Sequence, residues 1–362
     1  MERTTLTIGA PRVIAATLTL ASLGCQPAVT PPPAWEEANP VTPLPESPLG
    51  VPNQLAELDQ APTPETVRLG RWLFYDTRLS ADETISCATC HKPENAFSEE
   101  TPVSTGINGQ RGGRKAPTFI NAAWTLYPHF FWDGRADSLE SQALGPVENP
   151  IEMGNTVDGM IATLQAITGY APYFEAAFGT PGITPERVAK AIADYERTRM
   201  SGNSAYDRWK DGDESAVSDA VKLGDELFFG KAGCNQCHLG FNFTDSLFHN
   251  LGVGWDAESE SFGDLGRYEV TQVDTDRGAF KTPTVRDVTK HAPYMHDGSV
   301  ATLREVMELY NRGGEANPFL DPKMKPLELS DEEIDALVSM MEALDGEGYM
   351  DTPPTSFPEQ MP

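Results

Sequence analysis

Apolar residues recur at helical spacing through most of the chain. Leu69, Trp72 and Leu73 share one face behind Thr63-Pro64, an N-cap followed by proline at the first helical position. Thr184-Pro185-Glu186 opens a second stripe of Val188, Ile192 and Tyr195. Ser330-Asp331-Glu332-Glu333 reads as a capping box ahead of Ile334, Leu337, Val338, Met341 and Leu344. The predicted class is therefore mainly α, with few or no strands. At the start, Arg3 and Arg12 precede an apolar run over 13–23 that ends in Ser22-Leu23-Gly24-Cys25, the form of a bacterial signal peptide over 1–24. That run is too short and too early for a transmembrane span. Cys25 sits where a lipoprotein signal would be cut. Leu23 lies two residues before it rather than the usual three, so lipidation and ordinary cleavage both stay open. Residues 25–62 are dense in proline, including Pro31-Pro32-Pro33, and predict an extended tether. Residues 346–362 are polar and proline-bearing and predict a flexible tail.

The pattern also repeats. Leu69-Gly70-Arg71-Trp72-Leu73-Phe74-Tyr75 is echoed by Leu223-Gly224-Asp225-Glu226-Leu227-Phe228-Phe229, and Lys115-Ala116-Pro117-Thr118 by Lys281-Thr282-Pro283-Thr284. Asp133-Gly134 with Leu139 matches Asp297-Gly298 with Leu303 at a constant offset. These echoes predict two modules related by duplication, at 63–200 and 201–345. A length of 362 residues leaves room for a core in each. The formal charge is −27; Glu2, Arg3 and Arg12 give the leader +1, leaving −28 on the exported part. Such a balance speaks against nucleic acid as a partner. It suits steering of a basic electron donor or protein substrate, or simply solubility.

Each predicted module carries one C-x-x-C-H pentapeptide: Cys87-Ala88-Thr89-Cys90-His91 and Cys234-Asn235-Gln236-Cys237-His238. Two thiols at this spacing can bond one porphyrin while the following imidazole lies under its iron. The reading is two covalently bound haem c groups, with His91 and His238 as iron ligands. The alternatives are disulfides, or a zinc site assembled from ligands more than a hundred residues apart. On the opposite faces, the constant offset sets Tyr310 against Pro146, and tyrosine can ligate iron whereas proline cannot. Haem 2 would then be closed by His238 and Tyr310, with Met295 or Met307 as alternative caps, and haem 1 left open unless His129 reaches it. An open iron permits catalysis; two closed ones would make an electron carrier.

The stretch Phe131-Trp132-Asp133-Gly134-Arg135, then Ser138-Leu139, Gln142, Gly145-Pro146 and Asn149-Pro150-Ile151-Glu152-Met153, resembles the bacterial di-haem cytochrome c peroxidases. So does Ala292-Pro293-Tyr294-Met295-His296-Asp297-Gly298, and the resemblance runs over residues 63–345. Tyr310, Pro146 and the lack of a histidine between the first haem motif and the Pro-Thr segment are similar to MauG-type members. The resemblance implies peroxide reduction at haem 1 in the bacterial periplasm. Glu152 would be the acid/base, Gln142 its hydrogen-bonding neighbour and Trp132 the relay between haems. A c-type cytochrome or copper protein would donate electrons; the MauG-like alternative is oxidation of aromatic side chains in a partner protein. The resemblance also implies a calcium bound by an asparagine and two carbonyls. Here Lys115 stands in the asparagine's place, leaving the His291 and Pro293 carbonyls with Asn121 as the remaining candidates.

Overall fold

Short polar side chains fix where the helices begin. In the computed structural model the described residues are 33–361 together with 1, 2 and 9, so nearly all of the expected signal peptide, and Cys25, lie outside them. The described elements belong to the unit Ala34–Pro362. Its helices are α1 (Ala34–Ala38), α2 (Pro64–Tyr75), α3 (Cys87–Cys90), α4 (Leu139–Glu148), α5 (Val157–Ala166), α6 (Ala171–Phe178), α7 (Pro185–Arg197), α8 (Ala205–Lys210), α9 (Asp219–Phe229), α10 (Tyr268–Thr271), α11 (Leu303–Asn311) and α12 (Asp331–Glu342). Thr63, Thr184 and Ser330 cap α2, α7 and α12 as their positions predict, each accepting a bond from the backbone N–H three residues on. Strands are few among the described residues. β1 (Phe248–Asn250) pairs antiparallel with β4 (Ala279–Lys281), and β2 (Trp255–Asp256) with β3 (Ser261–Phe262). No described helix is long and apolar enough to cross a membrane.

Two apolar clusters form the interior. One joins Leu69, Trp72, Leu73 and Phe74 of α2 to Val188, Ile192 and Tyr195 of α7; the other joins Val221, Leu227 and Phe228 of α9 to Ile334, Leu337 and Met341 of α12. Both helix pairs cross at a glycine. A Cβ on Gly70 would collide with the Ala191 carbonyl oxygen, and one on Gly224 with the Ala336 carbonyl oxygen. The Leu-Gly pair repeated in the sequence thus marks a close approach in each crossing.

Two predicted segments differ from expectation. The proline pattern predicts an extended tether over 25–62, but from Ala34 on this stretch is docked. The Trp35 indole N–H donates to the Tyr173 hydroxyl at 2.8 Å, Glu36 pairs with Arg68 at 2.9 Å, and Leu55 is buried. The predicted flexible tail over 346–362 is also docked. Tyr349 is buried, Asp351 pairs with Arg71 at 2.8 Å, and the Ser356 carbonyl accepts the Trp72 indole N–H at 3.2 Å. Irregular segments that cover a core through single aromatic and ionic anchors leave no periodic trace.

Gly70→Ala and Gly224→Ala should each cost about 1–3 kcal/mol by forcing packed helices apart. The check is the denaturant midpoint of the haem-loaded protein; an unchanged midpoint would mean that neither crossing depends on its glycine.

Candidate haem sites

Both pentapeptides fold so that the histidine backs onto the turn holding its cysteines. The His91 N–H donates to the Cys87 carbonyl at 3.0 Å, and the His238 N–H to the Cys234 carbonyl at 2.9 Å. Each ring is then oriented by one carbonyl, Nδ1 lying 2.9 Å from Phe97 O in His91 and 2.9 Å from Phe243 O in His238. Nδ1 carries the proton that makes this bond, which leaves the Nε2 lone pair free for a metal. Burial lowers the pKa of both imidazoles and keeps them neutral. Phe97 and Phe243 reach these positions with φ of 58° and 49°. The Ser98 hydroxyl then donates to Ala116 O at 2.8 Å, and the Thr244 hydroxyl to Thr282 O at 2.7 Å.

None of the four motif cysteines is joined in a disulfide. Burial pushes Cys90 up to about 11 and Cys234 up to about 12, so neither is a thiolate at neutral pH. The two motifs line separate cavities of about 880 and 480 Å³, which excludes one zinc site built from both. These volumes match the usual range for cofactor pockets, about 300–1,000 Å³.

The first cavity gathers Cys87, Cys90, His91, Trp132, Gln142, Pro146 and Glu152. Burial raises the Glu152 pKa, while Arg135 and a 2.7 Å bond from the Asn149 amide pull it back. The second gathers Cys234, Cys237, His238 and Tyr310, with Met295 and Met307 also in its wall. Trp132 belongs to both walls, together with Lys115, Pro117, Lys281 and Pro283 of the repeated Lys-x-Pro-Thr segments. Helices α4 and α11 hold matching places. Each begins on a leucine behind a hydroxyl N-cap, Ser138 or Thr302, and seven residues past that leucine Pro146 faces the first cavity and Tyr310 the second. His129 also lines the first cavity, with Nδ1 buried and unpartnered.

The model for the family described as di-haem cytochrome c peroxidase matches residues 64–215. Methylamine utilization protein MauG of Methylorubrum extorquens is 43% identical over 288 residues, 79% of this chain and 79% of that one. Cytochrome c551 peroxidase of Nitrosomonas europaea is 37% identical over 256 residues, 70% of this chain and 75% of that one. A solved MauG-like protein associated with microbial copper homeostasis superposes with a TM-score of 0.75 at 30% identity, covering 88% of this chain and 97% of that one. The chain belongs to the di-haem cytochrome c peroxidase family. It is an oxidoreductase of a family that acts on peroxide, and haem c is the cofactor the family implies. The residues present fit that cofactor: two pairs of cysteines outside any disulfide, two imidazoles with a free Nε2, and two cavities of suitable volume.

Calcium does not fit. The Lys115 ammonium, buried with its residue 4% exposed, donates to Glu99 O and lies 3.4 Å from Thr101 O and 3.5 Å from Ala292 O. It already places a positive charge at the Ala292 carbonyl, between the two residues expected to bind a cation, and a second cation there is repelled. Burial lowers its pKa to about 8, so it stays protonated at neutral pH. Asn121, the expected substitute, spends its side chain on Ser201: Oδ1 accepts the Ser201 N–H at 2.9 Å and Nδ2 donates to Ser201 O at 3.0 Å. His291 and Pro293 line the second cavity, while Ala292 between them offers the carbonyl to Lys115.

Some site residues escape sequence reasoning. Glu196 is 4% exposed, lines the first cavity, leaves Oε2 unpartnered and is pushed by burial up to about 8. The only trace of it in the sequence is an acid on the apolar stripe of α7. His249, in the second cavity wall, lies between Asp245 Oδ2 at 2.9 Å and Asp321 Oδ2 at 2.6 Å, a pairing 72 residues apart that no local pattern reveals.

Exhaustive chelation should leave the thermal midpoint of the holoprotein unchanged. Lys115→Met, which strips the donor from buried carbonyls, should lower stability by about 1–3 kcal/mol. A midpoint that falls on chelation and recovers with calcium would overturn this account.

Proposed function

We propose that the protein is a periplasmic di-haem c peroxidase that reduces hydrogen peroxide in the first cavity, with electrons arriving through the second. The observation that carries this reading is the unequal filling of one position: Pro146 on α4 offers no ligand to the first cavity, and Tyr310 on α11 offers a phenol to the second. Haem c bound at both motifs would supply the iron redox chemistry and form two duplicated modules over 63–200 and 201–345. Neutral His91 and His238 would each present Nε2 to iron. In the first cavity Gln142 would hold peroxide, since its amide can both donate and accept. Glu152 would take the proton from one peroxide oxygen and return it to the other, so that water leaves. Its raised pKa suits a group that must both accept and release a proton. Trp132, in both walls, would relay charge; its indole N–H is held at 2.8 Å by the Lys115 carbonyl. The electron donor would be a small c-type cytochrome or copper protein meeting an acidic surface, in keeping with a formal charge of −27.

Tyr310 favours a second reading, peroxide-dependent oxidation of aromatic side chains in a partner protein, as its MauG relatives suggest. Burial and the neighbouring Cys234 and Cys237 raise the Tyr310 phenol pKa. Ligation to iron would therefore have to drive the proton off, and the resulting anionic donor would favour oxidised iron. Ferric EPR of the untreated protein, followed by peroxide with and without reduced cytochrome c, tests both readings. One high-spin and one low-spin centre with rapid cytochrome oxidation supports the scavenger; a long-lived oxidised form that cytochrome c discharges poorly supports protein modification. Two low-spin centres without a peroxide response would leave a carrier and overturn both.

Glu152→Gln should lower the rate of reaction with peroxide by about 10²- to 10⁴-fold. Because Glu152 must be ionised to take the first proton, the wild-type rate should fall as pH falls, with a midpoint above the ordinary 4.5. Loss of this acid limb in Glu152→Gln, measured by stopped flow, is the expected result; an unchanged rate and profile would remove Glu152 from the mechanism.

A further inference from the structure

Behind His91 lies an aromatic cluster that ends in a hydrogen-bonded tyrosine pair. The His91 ring packs on Phe119 with centroids 5.3 Å apart, Phe119 on Phe97 at 4.7 Å and on Phe74 at 5.7 Å, and Phe74 on Tyr195 at 5.0 Å. The Tyr195 hydroxyl donates to Asp351 Oδ2 at 2.7 Å, and the Tyr75 hydroxyl lies 3.2 Å from it. Since Tyr195 has one proton and gives it to Asp351, Tyr75 is the donor within the pair. Tyr195 is 0% and Tyr75 7% exposed. Asp351 is itself held by Arg71 at 2.8 Å and lies 3.9 Å from Arg199. A buried phenol hydrogen-bonded to a carboxylate is more than packing requires, because Phe would fill the same space without a polar atom to satisfy.

We propose that Tyr195 is a proton-coupled redox site that receives one oxidising equivalent from the first cavity, on the His91 side. The inference rests on the peroxidase reading above, with hydrogen peroxide as the oxidant. Tyr195 loses one electron, which passes through the Phe74, Phe97 and Phe119 rings to the peroxide-oxidised haem site. Its O–H bond breaks, and the proton moves to Asp351 Oδ2. The product is a neutral tyrosyl radical beside a protonated carboxyl, with the haem site reduced by one electron. The Arg199 guanidinium, 4.8 Å above the Tyr195 ring, disfavours any ring that becomes cationic, so electron and proton must leave together. Burial raises the pKa of both phenols, Tyr75 to about 12, so neither is a phenolate beforehand. Tyr75 supplies a hydrogen bond that holds the radical oxygen in place.

The test is freeze-quench EPR of holoprotein mixed with hydrogen peroxide and no electron donor, with the haem absorption change recorded in parallel. The expected result is an organic radical that narrows when the protein contains ring-deuterated tyrosine and falls to background in Tyr195→Phe. In Tyr75→Phe the signal should persist with altered g-anisotropy, and in Asp351→Asn it should form more slowly. An absorption change without a tyrosyl signal, or a signal undiminished in Tyr195→Phe, overturns this inference and leaves the peroxidase reading intact. An unaltered signal in Tyr75→Phe removes the pair. Absence of any haem response in the wild type would instead remove the peroxidase reading, and this inference with it.

Discussion

One hydrogen bond, made twice, underlies both candidate centres: a histidine Nδ1–H held by the carbonyl of a phenylalanine five or six residues later. An imidazole that follows two cysteines on a tight turn is free to rotate unless something grips it. The carbonyl settles tautomer and ring plane together, and so decides that Nε2 is the nitrogen left for iron. To bring that carbonyl into range the chain must turn sharply, and Phe97 and Phe243 do so with positive φ, a conformation that bulky residues adopt only when their surroundings insist. The insistence comes from the core: Phe97 packs on Phe74 and Phe119, and Phe243 on Phe228 and Tyr206.

Around these equivalent supports the two cavities diverge, and the proposed division between catalysis and transfer rests on that divergence. Helices α4 and α11 start alike, yet one delivers proline and the other tyrosine to the cavity beside it. The carboxyl of Glu152 and the amide of Gln142 join the side that holds proline, in a wall that also contains His129. A buried carboxyl costs desolvation, which raises the Glu152 pKa and is partly offset by Arg135 and Asn149. The proposed proton transfer rests on Glu152 sharing this cavity with Gln142 and Pro146.

Much of this was legible because local chemistry wrote it. The haem motifs, the N-caps at Thr63, Thr184 and Ser330 and the stripes of α7 and α12 are short-range patterns, and Gly70 and Gly224 mark helix crossings through the echo between them. The register that set Tyr310 against Pro146 needed only a constant offset. What stayed hidden depends on distant partners. The docking of Trp35 on Tyr173 and of Asp351 on Arg71 joins residues far apart in sequence, as does the His249–Asp321 contact. Glu196 was masked by the apolar stripe it interrupts, and Lys115 by the expectation that its place belonged to a ligand rather than to a charge.

Lys115 ties these levels together. Its ammonium engages carbonyls from 99–101 and 292, while its own carbonyl holds the Trp132 indole that walls both cavities. A bound metal ion at such a junction would exchange with solvent, and the position of Trp132 would follow its occupancy. A cation carried on a side chain cannot diffuse away, and it loses its charge only as pH rises through about 8. Its cost is desolvation of one ammonium, visible in the pKa lowered to about 8. The Trp132 indole is thus held by a residue that brings its own charge to the junction.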